Sequence, residues 1–210
     1  MLATIMQILD ISIVNVSLPN MQGAFSATPD QISWVITSYL VASAILMPLT
    51  GYFTQTLGQK TFLTIAVTGF TLTSILCGIS TSLDQIVLFR LLQGIFGASL
   101  VPLSQAILLD IYPKHEHGRA MALWGAGVMV GPILGPTLGG YLTEMFSWRW
   151  AFYINVPIGT LCLFLIATTL PNTERTTKIL DWPTLICMAC AVGDFNLSSI
   201  EEMKVIGSNP

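Results

Sequence analysis

Gly51-Tyr52-Phe53-Thr54-Gln55-Thr56-Leu57-Gly58-Gln59-Lys60 returns 89 residues later as Gly140-Tyr141-Leu142-Thr143-Glu144-Met145-Phe146-Ser147-Trp148-Arg149. Gly, Tyr and Thr are identical, and Phe/Leu, Gln/Glu, Leu/Phe, Gly/Ser and Lys/Arg are similar. Each copy joins the end of one apolar stretch to the start of the next. Three stretches separate the copies, so the second lies upside down relative to the first. An inverted three-plus-three repeat is a common plan of secondary transporters, with the functional site at the repeat interface.

The stretches around these two segments are long enough to cross a bilayer. A hydrocarbon core of about 30 Å needs roughly twenty helical residues at 1.5 Å each. Such runs occur near 2–18, 34–53, 61–80, 85–109, 120–143 and 150–170, and a seventh begins at Trp182 and fades by Gly193. Turn residues separate them at Pro19-Asn20, Thr56–Lys60, Ser80–Ser82, Tyr112–Lys114 and Pro171–Thr173. Composition agrees: of 210 residues 53% are hydrophobic and only 9% charged, against about 25% charged in soluble domains. A soluble enzyme and a disordered segment are excluded. A net charge of −3 without a basic stripe excludes a nucleic-acid binder. A transmembrane β-barrel would need polar alternation that is absent. The expected fold is an all-α polytopic membrane bundle of six transmembrane helices, arranged as an inverted 3+3 repeat, plus an incomplete seventh. It divides into a bundle over 1–170, a loop over 171–181 and a tail over 182–210.

Orientation follows from alternate loops. Lys60, Lys114, Arg119, Arg175 and Lys178 fall on one side and only Arg149 on the other, which places the amino terminus in the cytoplasm. Trp34, Trp148, Trp150 and Trp182 lie at span ends, as amphipathic rings prefer. The first span is short, and the chain past Gly193 is too polar to finish a crossing; both features read as a truncated product. Of the four cysteines (Cys77, Cys162, Cys187 and Cys190), the C-x-x-C pair at 187 and 190 lies in an apolar run and reads as small helix side chains.

Several polar groups stand where lipid would be expected. A carboxylate at Asp10 costs about 2.5–3.5 kcal/mol near the bilayer centre. Gln7, Asp10 and Ser17 recur at helical spacing, which gives the first span a polar face toward a wet interior. A carboxyl poised between desolvation and a nearby cation can load and release a proton; the alternative is a solvated group near the span end. Arg90, Gln93, Gly94, Gly97, Val101, Ser104 and Gln105 form one stripe of the fourth span, suited to a buried, water-accessible face. Its alternative is an Arg90 that snorkels to the interface. In the fifth span Gly127, Gly131, Gly135 and Gly139 repeat every fourth residue beside Pro132, Pro136 and Gly140. Such a ladder admits close helix packing and a bend. Lys114-His115-Glu116-His117-Gly118-Arg119 contains a His-x-His without further acid or thiol ligands and reads as a solvated turn. No metal site and no nucleophile–base pair is expected.

At these positions the chain resembles the amino-terminal half of a major facilitator superfamily transporter, and more narrowly the fourteen-span drug:proton antiporters of bacterial inner membranes. Leu9-Asp10-Ile11-Ser12-Ile13-Val14-Asn15-Val16-Ser17-Leu18-Pro19 is similar to that branch's first-span motif, and Gly51 through Lys60 to its loop between spans two and three. Arg90-Leu91-Leu92-Gln93-Gly94 is similar to its fourth-span motif. Gly131, Gly135-Pro136 and Gly139-Gly140 match its antiporter motif, and Trp148-Arg149-Trp150-Ala151-Phe152-Tyr153-Ile154-Asn155-Val156-Pro157-Ile158-Gly159 its sixth-span opening. The pattern departs at Gln55, where an acid is usual, at Thr56 and Gln59, where bases are, and mildly at Ala122.

The resemblance implies a multidrug export permease of the bacterial plasma membrane, not an enzyme, that works by alternating access without a cofactor, driven by the proton gradient. Asp10, Arg90 and Gln93 would couple protons. Asn15, Gly94, Gly97, Gly131, Gly135, Pro136, Gly139 and Gly140 would line the substrate cavity or a helix interface, with the glycine face of span five sealing against the opposite bundle. Gly51, Gly58 and Lys60 would form a gating loop. Implied partners are lipophilic or amphipathic small molecules, protons, the bilayer, a periplasmic adaptor and an outer-membrane channel. The competing readings are a non-transporting half-permease and a membrane metalloenzyme built on His115, Glu116 and His117.

Overall fold

Without water to satisfy peptide groups, a chain in lipid must close its hydrogen bonds within each segment, and all six apolar stretches are helical. The computed structural model describes residues 1–170. The spans are Leu2–Phe25, Pro29–Leu57, Gln59–Ile79, Leu83–Ile111, Lys114–Met145 and Trp150–Thr169. The expected 171–181 loop, the seventh run from Trp182, the polar tail and the Cys187/Cys190 pair lie outside the described residues.

One expected turn is misplaced. The first span continues through Pro19-Asn20 to Phe25. Pro19 withholds the N–H that would reach the carbonyl of Asn15, and both residues lie on an exposed face. The chain turns instead at Ser26, which adopts a left-handed φ of 49°. Thr28 then opens the second span. Its hydroxyl accepts the Gln31 N–H at 3.4 Å, and the Gln31 side chain accepts the Thr28 N–H at 3.0 Å. This capping box, followed by Pro29 in the first turn, is a stronger helix start than a lone proline is a stop.

Other prolines mark real interruptions. Met47–Leu49 around Pro48 is a 3₁₀ turn. The fourth span breaks between Gly97 and Leu100, where Pro102 has no N–H for the carbonyl of Ala98. The sixth breaks at Ile154, three residues before Pro157. Pro132 and Pro136, in contrast, leave the helix His117–Met145 continuous.

Two apolar clusters fill the bundle. One gathers Met6, Tyr39, Phe70, Leu100, Leu103 and Cys162 with their neighbours. The other gathers Leu9, Ile13, Val35, Ile86, Trp148 and Phe152 with theirs. Spans one, two, three, four and six each contribute to both clusters, so a narrow layer between the clusters is shared by five helices.

The sequence repeat has a structural counterpart. Lys60 begins the third span, and its Nζ donates to the carbonyls of Ala167 and Leu170 at the end of the sixth, at 3.3 and 2.6 Å. Arg149, its counterpart in the second copy, precedes the sixth span. It donates to the carbonyls of Gly78 and Ser80 at the end of the third, at 2.8 and 2.7 Å. The last carbonyls of a helix lack intrahelical partners and carry partial negative charge. Each repeat therefore supplies the cation that closes the other. Arg149→Gln is expected to lower stability by about 1–3 kcal/mol, read as an earlier thermal transition in detergent, with Lys60→Gln costing less because its ammonium stays partly exposed.

Trp148 is not an interfacial anchor, as its place at a span end suggested. It is buried against Phe25 and Phe152, beneath the Arg149 guanidinium at 4.6 Å from its ring centre. Trp34 and Trp150 are exposed, as expected for rings at a membrane interface. Trp182 lies outside the described residues.

Candidate functional site

The layer between the two clusters is polar. Asp10 enters it from the first span, about 12 Å from the helix start at 1.5 Å per residue. Arg90 and Gln93 enter from the fourth, Ser74 from the third, and Asn155 from the first turn after the break in the sixth. Asp10, Gln93, Ser74 and Asn155 are 0% exposed and Arg90 1%. The sequence alternatives for the two charges fail on this geometry: Asp10 is not solvated at a span end, and Arg90 does not snorkel.

Three side chains converge on one carboxylate. Arg90 Nη1 donates to Asp10 Oδ2 at 2.6 Å. Gln93 Nε2 and Asn155 Nδ2 donate to Oδ1 at 3.3 and 2.7 Å. Arg90 is fixed in turn by the oxygen of Gln93 at 2.7 Å and the carbonyl of Val35 at 3.3 Å. Its guanidinium lies 4.5 Å from the ring centre of Tyr39 and 5.7 Å from that of Phe152. Stacking between two rings holds a planar cation where no water replaces its hydration.

The expected polar faces of spans one and four do point inward. Thr4, Gln7, Asp10 and Ser17 are all buried, as are Arg90, Gln93, Gly94, Gly97 and Ser104. They do not line an open wet cavity. Side chains of spans two, three and six fill the space the sequence reading assigned to water, so the charges meet as a desolvated ion pair. Sequence reasoning missed Tyr39, Ser74 and Asn155. Asn155 left a signal, as an amide inside the run Ile154-Asn155-Val156. Ser74 and Tyr39 left none, because hydroxyls are common in lipid-embedded helices.

The glycines fall into two groups. Gly131, Gly135 and Gly139 face the first span, where a β-carbon would meet Ile8, Ser12 and Ile13 respectively. Ser17 and Thr143 extend that contact with a 2.8 Å hydrogen bond. The ladder is thus occupied within its own bundle rather than left to seal against an opposite one. Close-packing glycines serve whichever helix lies beside them. Pro136 is exposed, and none of the described residues lies within 4 Å of a β-carbon at Gly140. With Met129, Ile133 and Leu134 they belong to the uncovered side of the fifth span. Asn15 is also exposed. Gly94 and Gly97 pack against Tyr39 of the second span.

Gly58 turns the chain between spans two and three with φ 82°, a value that favours glycine. The adjacent Gln59 amide donates to Asp110 at the end of the fourth span. A β-carbon at Gly51 would meet none of the described residues within 4 Å. Lys60 is committed to the sixth-span carbonyls described above. In the turn after the fourth span, His115 is exposed and His117 Nε2 pairs with the carbonyl of Tyr112 at 3.0 Å. Among the described residues no three His, Cys, Asp or Glu side chains gather as metal ligands.

Comparison with known proteins agrees with this architecture. Residues 1–193 match the Major Facilitator Superfamily. The chain is 42% identical over 198 residues to the probable multidrug resistance protein EmrY of Escherichia coli (strain K12), covering 93% of this chain and 39% of the relative. It is 42% identical over 177 residues to the multidrug export protein EmrB of the same organism, covering 84% and 35%. With the fatty acid resistance protein FarB of Neisseria gonorrhoeae it shares 42% over 176 residues, again covering 84% and 35%. The chain therefore spans less than half the length of these relatives. Among solved structures, the fold is similar to the inward-open xylose transporter XylE from E. coli, with TM-score 0.71, 18% identity, and 97% of this chain matched to 54% of that one. It is also similar to the human organic anion transporter MFSD10, with TM-score 0.73, 20% identity, and coverage of 89% and 51%. Six apolar helices, a three-plus-three repeat closed by reciprocal cations and these matches lead to one assignment: the chain belongs to the Major Facilitator Superfamily.

Proposed function

We propose that the chain forms the proton-handling half of a drug:proton antiporter, an export permease of the bacterial inner membrane with its amino terminus in the cytoplasm. The observation that carries this reading is the Asp10–Arg90 pair, fully buried among five helices. A carboxylate held by a cation and two amides can exchange a proton only when the packing around it opens. Proton binding and bundle movement are thereby linked. Arg90 and Gln93 set the affinity of Asp10 for the proton. The substrates are lipophilic or amphipathic molecules, in line with the multidrug names of EmrB and EmrY, and no cofactor is needed beyond the proton gradient. Asn15, Pro136 and Gly140, on uncovered faces, are the candidates for contact with drug or with the second bundle. Gly51, Gly58 and Lys60 shape the loop between spans two and three. A periplasmic adaptor and an outer-membrane channel are the proposed partners.

Alternating access needs a second bundle to rock against. The test is therefore made in inverted membrane vesicles with a lipophilic cation dye, comparing the chain alone with the chain joined to the carboxy-terminal half of EmrB. The joined permease is expected to accumulate dye when the lumen is acid and to stop when a protonophore is added. The chain alone is expected to move none. Dye movement in the joined permease that ignores the protonophore would remove proton coupling from the reading.

A further inference from the structure

Of the three groups that donate to Asp10, two cannot change role. Arg90 has no acceptor atom. Gln93 is fixed in its orientation, because its oxygen accepts from Arg90 at 2.7 Å and from the Cys77 thiol at 3.7 Å. Reversal would turn its amide hydrogens toward a guanidinium. Asn155 differs. Both its N–H groups are engaged, one with Asp10 Oδ1 at 2.7 Å and one with Ser74 Oγ at 2.9 Å, while its oxygen is buried without a partner among the described residues. Ser74 must act as the acceptor there, because its own hydroxyl hydrogen goes to the carbonyl of Phe152 at 2.9 Å. Phe152 lies just before the break at Ile154.

We infer that Asn155 reads the protonation state of Asp10 by reversing its amide, and that Ser74 passes the change to the Phe152 carbonyl at the break in the sixth span. A proton on Asp10 Oδ1 directed at Asn155 sets an O–H against an N–H, two donors with no acceptor between them, while the oxygen's remaining lone pair still accepts from Gln93. Reversal presents the Asn155 oxygen to the new O–H. The same oxygen then faces Ser74, whose hydroxyl hydrogen turns to it and leaves Phe152. No covalent bond other than Asp10 O–H is formed, and the only species taken up is the proton. The carbonyl that loses the hydroxyl belongs to a short helix, Trp150–Tyr153, that ends at the break at Ile154. Asn155 is a positioning residue in this scheme, and the inference rests on the proton-coupling reading above.

Among the described residues, the titratable or charged groups packed around Asp10 are few. Arg90 comes from the fourth span, Tyr39 from the second and Cys77 from the third. On the sixth, Tyr153 packs over Gly78 and Cys162 belongs to a separate cluster. On the fifth, Arg119 and Glu144 lie toward its two ends.

The test is infrared difference spectroscopy of the 210-residue chain in lipid, titrated with acid. The carboxyl C=O band of Asp10 is identified by its loss in the double variant Asp10→Asn/Arg90→Met. Asn155→Ala removes a charge-assisted donor and is expected to move the band's midpoint to higher pH by about one unit or more. The decisive variant is Ser74→Ala, which does not touch Asp10 but frees the Asn155 amide to reverse. It is expected to shift the midpoint in the same direction, and Asn155→Ala/Ser74→Ala to match Asn155→Ala alone. Ser74→Cys, a poor acceptor of similar shape, should reproduce the shift if the alanine variant folds badly, and Ser74→Thr should restore the original midpoint. A midpoint unmoved by both Ser74→Ala and Ser74→Cys, or shifts that add in the double variant, would overturn the relay while leaving proton coupling intact. Absence of any titrating band in the unsubstituted chain would overturn the coupling itself, and the relay with it.

Discussion

Asp10→Asn is expected to abolish proton-driven dye movement in the joined permease and, at the same time, to destabilise the chain by about 3–5 kcal/mol. The second effect follows from burial. Removing the negative charge leaves the Arg90 guanidinium 1% exposed, with only neutral oxygens and two rings for company. Loss of transport in this variant alone would therefore not separate coupling from collapse. Asp10→Asn/Arg90→Met makes the separation, because a methionine matches much of the arginine stem and buries no charge. Most of the lost stability should return, seen as recovery of the thermal transition in detergent, while the protonophore-sensitive component stays absent. Recovery of both in the double variant would show that the pair is structural and that protons are handled elsewhere.

Gly94→Ala is expected to be the most damaging of the conservative glycine substitutions. Its β-carbon would fall on the backbone oxygen of Tyr39 and 3.0 Å from the Ala42 β-carbon. A backbone carbonyl cannot rotate aside, so spans two and four must separate. They are also joined there by the Ser43 hydroxyl on the Gly94 carbonyl at 3.2 Å. The expected cost is about 1–3 kcal/mol. Displacement of Tyr39 should also loosen the ring stacked on Arg90 and reduce efflux. Gly135→Ala meets only the Ser12 side chain, which can turn away, and should cost less. Gly51→Ala and Gly140→Ala, with none of the described residues within 4 Å, should remain within about 0.5 kcal/mol of the parent. Equal loss at all four positions would mean that helix propensity and surface, not close packing, govern these sites.

How much of this was readable beforehand depends on the kind of signal. Apolar length is a strong signal, and each of the six stretches is a span. The Gly51/Gly140 repeat carried more than expected, because its last residue, Lys60 or Arg149, is the one that closes the opposite repeat. Asp10 and Arg90 stood out because lipid makes a charge costly. Their mutual contact did not, since no spacing rule links positions on spans one and four. The water expected around them was an assumption drawn from charge alone, and packing of Tyr39, Phe152 and Asn155 replaced it. Asn155 and Ser74 escaped because an amide or hydroxyl is an inexpensive residue in a membrane helix and becomes informative only when its partners are known. The glycine ladder predicted close approach correctly and the identity of the neighbour incorrectly, because periodicity names a face without naming what covers it.

The Asp10–Arg90 pair joins residues 80 positions apart, and that separation constrains how the chain is made. The first helix leaves the ribosome with its acid unmatched, and the matching base follows only after about 4–16 s at roughly 5–20 residues per second. During that interval the helix gains little from lying alone among acyl chains. It is better kept beside the insertion machinery until the fourth helix arrives. Biogenesis of this bundle is thus expected to proceed by late, collective release into the membrane rather than helix by helix.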